Sequence, residues 1–207
     1  MQDNKIIIDS KKYVNSILMP LENLYYHQYE HALDVMTRAV YLGEKEGLTN
    51  EEIEILALTG IFHDTGFTIQ YENNEYIGAK IAQNFLKSKF YSIEKIEKIE
   101  KLILATNPNY STPINILEKI IKDSDLDSLG RDDFFDKSDK LKRELETIKK
   151  IKIKDPDWHH SSLDFLWNHG YFTETQKNER SEKKKENEEM LKGMIKEEGK
   201  TVIIANY

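Results

Sequence analysis

Six histidines occur in the chain, and three of them fall into an ordered pattern with aspartates. His27 and His31 stand four apart in the stretch 26–35, Tyr-His-Gln-Tyr-Glu-His-Ala-Leu-Asp-Val. His63 and Asp64 are adjacent, and Asp123, Asp125 and Asp127 follow in Lys-Asp-Ser-Asp-Leu-Asp at 122–127. Imidazole nitrogens and carboxylate oxygens together hold a divalent cation such as zinc, manganese or iron. One His or one Asp alone carries little information. The order His, then His-Asp, then Asp, each at or near the end of an apolar helical segment, is far rarer.

The spacings say how such a set would work. On a helix His27 and His31 share a face about one turn apart, beside Glu30 and Asp34, where two imidazoles bind metal or move protons. His63 and Asp64 project about 100° apart on a regular helix, so both reach one cation only where that helix packs against others. An Asp at a helix C-terminus is disfavoured by the macrodipole, and a bound cation offsets that cost. In the acidic cluster Asp123 follows Ile120 by three and Ile116 by seven, continuing a buried side. Asp125 lies about 200° further round. Asp123 is therefore the expected ligand. Asp125 is the fallback, or a group bonded to a ligand. A calcium loop fits poorly because the Gly and distal Glu of that motif are misplaced.

Other features read more plainly. His159-His160 beside Trp158 reads as an exposed turn, since adjacent histidines rarely chelate together. Arg131 has two readings of equal weight: a contact to an anionic substrate, or pairing with Asp132 and Asp133. The charge run 180–189 reads as a solvated helix face. Glycine-rich phosphate loops and a G-x-S-x-G elbow are absent. With no cysteine, thiolate metal sites, disulfides and a Cys nucleophile are excluded, which fits a reducing compartment.

The elements that must position these residues are helical. Val14, Ile17, Leu18 and Leu21 recur at helical spacing from Lys11 to about Leu24, with Pro20 kinking or breaking the segment. Ile6-Ile7-Ile8 is too short to assign. A helix is expected from about Glu30 to Lys45, closed by Gly47. Thr49-Asn50-Glu51-Glu52 has the form of a capping box before an apolar run that ends at His63, Asp64 and Gly66. Helices follow over residues 77–86 and 93–103, then from Pro113 into the acidic cluster, then over 141–151 and from Pro156 to Trp167. Thr173 opens a last, highly charged helix, and Val202-Ile203-Ile204 reads as a terminal strand or docking tail. The pattern is all-α, eight or so helices around one core.

Bulk properties narrow the class. A length of 207 residues favours one domain with small additions. A net charge of -7 gives no basic footprint, so no duplex nucleic acid is expected as partner. No apolar run approaches the roughly 20 residues of a membrane span, and the N-terminus lacks the plan of a signal peptide. A soluble, cytoplasmic protein is expected.

These motifs resemble those of the HD superfamily of metal-dependent phosphohydrolases, an all-helical fold named for its His-Asp pair. The resemblance covers about residues 24–135. It implies a single-domain HD-type helical bundle: an N-terminal helical segment 1–23, a metal-binding core 24–135 and a C-terminal extension 136–207 packed on that core. It implies His31, His63, Asp64 and Asp123 as ligands of a divalent ion (manganese, magnesium, zinc or iron), with Asp64 also taking part in catalysis. The stretch 26–35 also resembles the Tyr-His-Asn-x-x-His-Ala-x-Asp-Val signature of cyclic-nucleotide phosphodiesterases, with Gln28 in place of Asn. That similarity implies His27 as the general acid protonating the leaving alkoxide. Asp-Ser-Asp-Leu-Asp-Ser-Leu-Gly at 123–130 is similar to the last motif of small bacterial HD hydrolases, and 169–173 to a C-terminal piece of some of them. Many HD enzymes with two metals place further histidines after the pair. Here the matching stretches carry Asn73, Asn74 and Glu75, then Thr106 and Asn107. Asp125, Glu75 and Arg131 are expected to support ligands or meet substrate. The implied activity is hydrolysis of a small-molecule phosphate ester, foremost a nucleotide phosphodiester, cyclic or linear. The alternatives are a nucleotide phosphomonoesterase and a non-catalytic module that binds a nucleotide or metal. A placed proton donor at His27 favours the enzyme.

Overall fold

The computed structural model describes residues 4–109 and 112–205, with side chains through Glu198. Among the described residues it contains nine α-helices, two 3-10 turns and no strand. The chain forms two compact units that meet between Leu126 and Asp127.

The first unit holds α1 (Lys5–Leu18), α2 (Tyr29–Lys45), α3 (Asn50–Phe62), α4 (Asn74–Ser88), α5 (Ile93–Ala105) and α6 (Ile116–Asp125), with a 3-10 turn at Thr65–Thr68. Helix α3 is its axis. Residues 55–62 are buried without a break, and α3 packs against α1, α2, α4, α5 and α6. A helix that is apolar on all sides must sit at the centre of a core. Leu56, Leu58, Ile61 and Phe62 are each fully buried, and each contributes roughly 1.5–3 kcal/mol relative to exposure. The start of α3 is set by a complete capping box. Thr49 accepts from the Glu52 amide, and Glu52 accepts from the Thr49 amide at 2.9 Å.

One glycine sets the approach of α2 to α3. A Cβ on Gly60 would lie 2.7 Å from Met36 Cα, so the α2 and α3 backbones cross there with no room for a side chain. The crossing lies five residues after His31 and three before His63, which brings those two side chains to neighbouring levels of the helix pair.

Several boundaries differ from the sequence reading. Ile6, Ile7 and Ile8 lie in α1, which starts at Lys5 because Asn4 caps it and accepts from the Ile6 amide at 3.2 Å. That helix ends at Leu18, so of the two alternatives at Pro20, a kink or a break, the structure shows the break. Helix α6 starts at Ile116, not Pro113, because Asn115 is the N-cap and accepts from the Glu118 amide at 2.9 Å.

The second unit comprises a 3-10 turn at Asp127–Gly130, α7 (Phe134–Lys149), α8 (Asp155–Asn168) and α9 (Glu174–Ala205). Val202-Ile203-Ile204, expected as a strand or docking tail, lie within α9. Helix α9 is also less solvated than its composition suggests. Gln176, Asn187 and Leu191 are buried, at i, i+11 and i+15 on one face. Gln176 Nε2 and Arg180 Nε donate to the buried Asp127 Oδ1 at 3.0 and 2.7 Å. Asn187 Nδ2 donates to the carbonyls of Leu129 at 2.9 Å and Arg131 at 3.1 Å. Gly130 is needed for this seam, because a Cβ there would lie 2.4 Å from the Arg180 carbonyl oxygen.

Candidate metal centre

Three helices of the first unit deliver four side chains to one point. His31 is in the first turn of α2, His63 and Asp64 directly follow α3, and Asp125 is the last residue of α6. His31 Nε2 lies 3.1 Å from Asp125 Oδ1 and 3.3 Å from Asp64 Oδ2. His63 Nε2 lies 3.0 Å from Asp64 Oδ2 and 3.3 Å from Asp125 Oδ1. His31, His63 and Asp125 offer donor atoms all within 4.8 Å of one another, a set that can hold a metal ion.

The surroundings tie the donors in place. His63 Nδ1 donates to the Gly60 carbonyl at 2.7 Å, which leaves the Nε2 lone pair directed at the cluster. His63 Nε2 and Asp64 Oδ2 are fully buried and, despite their 3.0 Å separation, neither has the geometry of a hydrogen bond. Buried polar atoms are rarely left unsatisfied, because desolvation without a partner costs about 1–3 kcal/mol. A cation between them satisfies both. Two neutral imidazoles with two carboxylates are also the donor set that zinc, manganese and iron accept. The residues present therefore fit a divalent ion.

The charges confirm how tightly these groups are coupled. Burial pushes the His31 pKa down, but the contacts with Asp125 and Asp64 outweigh it and hold it above the ordinary value. Burial likewise opposes charge on His63, and Asp64 and Asp125 raise its pKa well above normal. Burial alone would raise the Asp64 pKa, yet the fields of His63 and His27 and the contacts with His31 and His63 hold it well below the carboxylate range. Asp125 is held below that range against the same burial penalty, chiefly by His63 and His31.

The expected acidic member is corrected. Asp123 is fully buried, and it is Asp125 whose carboxylate meets His31 and His63. The phase argument failed because Ile120 and Ile121 are both fully buried, so α6 buries a wider face than the Ile116–Ile120–Asp123 line. The stripe that reaches the cluster is Leu117, Ile121 and Asp125, spaced by four. His27 is not on a helix with His31, since α2 begins at Tyr29 with Gln28 as its N-cap. It nevertheless stands beside the cluster, its ring 5.8 Å from that of His31.

Glu75 is buried at the start of α4 and accepts from Asn107 Nδ2 at 3.0 Å. Arg131 is engaged with Asp133 at 2.7 and 2.9 Å and with Asp127 at 3.3 Å. His159 Nδ1 contacts Glu198 at 2.9 Å. Sequence reasoning missed the aromatic rings around His27. Phe67 stacks on it at 4.2 Å between ring centroids, and Tyr71 stands 6.1 Å away, edge-on. Their signal was present, as two aromatics three and seven residues after Asp64.

Comparison with known proteins agrees with this geometry. The family model of the HD domain matches residues 28–129. No curated protein matches the sequence. Among solved structures, the chain is similar to a predicted HD superfamily hydrolase from an uncultured Thermotogales bacterium. The TM-score is 0.61 at 16% identity, over 92% of this chain and 91% of that one. That likeness is one of fold. Helices α2 to α6, with His31, His63-Asp64 and Asp125 at their ends, lie within the segment, residues 28–129, that matches the HD domain family model.

Proposed function

We propose that this protein is a metal-dependent phosphohydrolase acting on a nucleotide phosphodiester, with His31, His63, Asp64 and Asp125 as metal ligands and His27 as general acid. The observation that carries the proposal is the pairing of a closed donor set with a further imidazole beside it. His63 Nε2 and Asp64 Oδ2 are buried and unsatisfied, and the His27 ring stands 5.8 Å from His31. The likeness in fold to a predicted HD superfamily hydrolase supports the reaction class.

A divalent ion held here supplies Lewis acidity at a phosphoryl oxygen and lowers the pKa of a coordinated water. The protein's own part is positional. The Gly60 carbonyl holds the His63 ring by its Nδ1 proton, so Nε2 is available as a lone pair. Asp64, close to both imidazoles, keeps its carboxylate ionised and is placed to orient the attacking water. His27 carries the proton that the leaving oxygen must receive. Imidazole suits this, being the side chain whose charge ordinarily changes between about pH 5 and 8. A pure metal or nucleotide binder has no use for a proton donor at that place.

The test contrasts two leaving groups. His27→Ala is expected to keep metal content and to lower kcat for an alkyl phosphodiester by about 10²–10⁴-fold. A nitrophenyl ester, whose leaving group needs no proton, should lose far less. Equal loss with both substrates, or loss of metal with His27, would make His27 a ligand or a packing residue. Failure of the metal-loaded protein to turn over any nucleotide ester would leave a binding module.

A further inference from the structure

Helices α8 and α9 pack on each other, and the linker between them begins with His169. The residue is half-buried, but both ring nitrogens are fully enclosed, and among the described residues neither has a hydrogen-bond partner. Buried polar side chains are nearly always bonded, so a histidine left this way calls for a reason. The groups that face it come from three places. Phe165, one turn earlier on α8, stacks on it at 6.3 Å and 17°. Tyr171, buried in the linker, meets it edge-on at 4.8 Å. From α9 comes Lys184, whose Nζ donates to the Leu166 carbonyl at 2.5 Å and pairs with Glu188 at 3.0 Å.

The Glu188 carboxylate is thus engaged by Lys184, and the charge that acts on His169 is the ammonium. A histidine at a helix C-terminus ordinarily gains from protonation through the macrodipole. Here burial, and then the charge of Lys184, outweigh that gain and push the His169 pKa down to about 4. The neutral ring fits its place between Phe165 and Tyr171. An imidazolium there would be desolvated beside a second cation, which is the costly way to bury a charge.

We infer that His169 is an acid-sensitive latch between α8 and α9: once protonated, its imidazole needs water, and the packed arrangement of the second unit gives way. Its folded pKa lies below the unfolded value of 6.5, so the unfolded state takes up the proton first. The neutral ring's contribution is complete above pH 6.5 and is lost as pH falls toward 4. One proton makes opening up to about tenfold more favourable per pH unit inside that window. The sign is opposite to that of His31 and His63, whose pKa values are raised.

The test follows the two tryptophans of the chain, Trp158 and Trp167, which both lie on α8, so that their fluorescence reports the second unit. Full-length wild type and His169→Phe are unfolded in urea at pH 8, 7, 6 and 5. The variant keeps an aromatic ring and removes the titration. Relative to it, wild type should change little from pH 8 to 7 and lose about 5- to 10-fold in the folding constant from pH 6 to 5. The ligand cluster titrates alike in both proteins and cancels in the comparison. Proton NMR of the histidine rings supplies a second reading. The His169 signal, identified by its absence from the variant, should titrate well below 6.5. Should His169→Phe fail to fold, His169→Gln serves both measurements. Parallel pH dependence of wild type and variant, or a His169 signal that titrates near or above 6.5, would overturn the inference.

Discussion

Metal uptake should be a proton-exchange reaction, and its size follows from the four contacts of 3.0–3.3 Å in the cluster. Without a cation, burial opposes charge on His31 and His63, but Asp64 and Asp125 prevail and raise both pKa values. A cation needs both Nε2 lone pairs, so binding must expel the protons they carry. Each proton expelled contributes 1.36 kcal/mol per pH unit, so two give about 2.7 kcal/mol, near 100-fold in apparent Kd per pH unit. The stability of the cation-free protein has the opposite sign. A histidine whose pKa is raised on folding stabilises fully below its unfolded value, about 6.5, and that contribution fades as pH rises through the folded value. EDTA-treated protein should therefore melt lower at pH 8 than at pH 6, while the gain on adding manganese widens. With about 2–4 °C in Tm per kcal/mol for a chain of this size, the two-proton limit is about 5–11 °C per pH unit. Thermal melts with and without manganese at pH 6, 7 and 8 read this directly. Calorimetry in two buffers of different ionisation enthalpy counts the protons. A manganese-induced shift that stays flat across this range, with no buffer-dependent heat, would refute the proposed coupling.

Two further outcomes separate neighbouring residues. Asp125→Asn should lose the metal while Asp123→Asn retains its stoichiometry, as read by elemental analysis after dialysis; equal losses would mean that α6 does not present Asp125 alone. Asp127→Ala should destabilise the second unit by about 3–5 kcal/mol, because the Arg180 and Arg131 guanidiniums lose their shared buried carboxylate. Lys183→Ala, whose Nζ pairs with an exposed Asp132, should cost no more than about 1 kcal/mol in the same denaturant melts.

The helices were readable wherever apolar spacing or capping chemistry was strong. Thr49 with Glu52 and the run to Phe62 placed α3 and put His63-Asp64 at its end. Pattern reading failed where burial is not apolar. Buried Gln176 and Asn187 and half-buried Arg180 form a seam on α9 through hydrogen bonds, and a hydropathy pattern treats all three as solvated. It also failed where two adjacent positions are both buried. With Ile120 and Ile121 equally covered, no phase argument from apolar spacing separates Asp123 from Asp125; the contacts of Asp125 with His31 and His63 do. His27 is a third case. A four-residue spacing suggested a shared helix face, but the chain brings His27 beside His31 from a turn before the helix, held by ring contacts that spacing does not encode.

The cluster's position at helix ends explains why a cation belongs there. Asp64 follows the C-terminus of α3 and Asp125 is the last residue of α6, so two carboxylates stand where the macrodipoles already place roughly half a negative charge each. Without a positive charge at that point, both helices would end on their least favourable residue type. The two imidazoles supply that charge only when protonated, and then they cannot ligate. A divalent ion would replace both protons, satisfy His63 Nε2 and Asp64 Oδ2, and reverse the sign of both helix-end interactions. Gly60 makes this possible at a distance, since its contact with Met36 lets α2 and α3 approach closely enough for His31 and His63 to share one ion. The site is therefore a property of how α2, α3 and α6 pack, rather than of a loop that could form it alone.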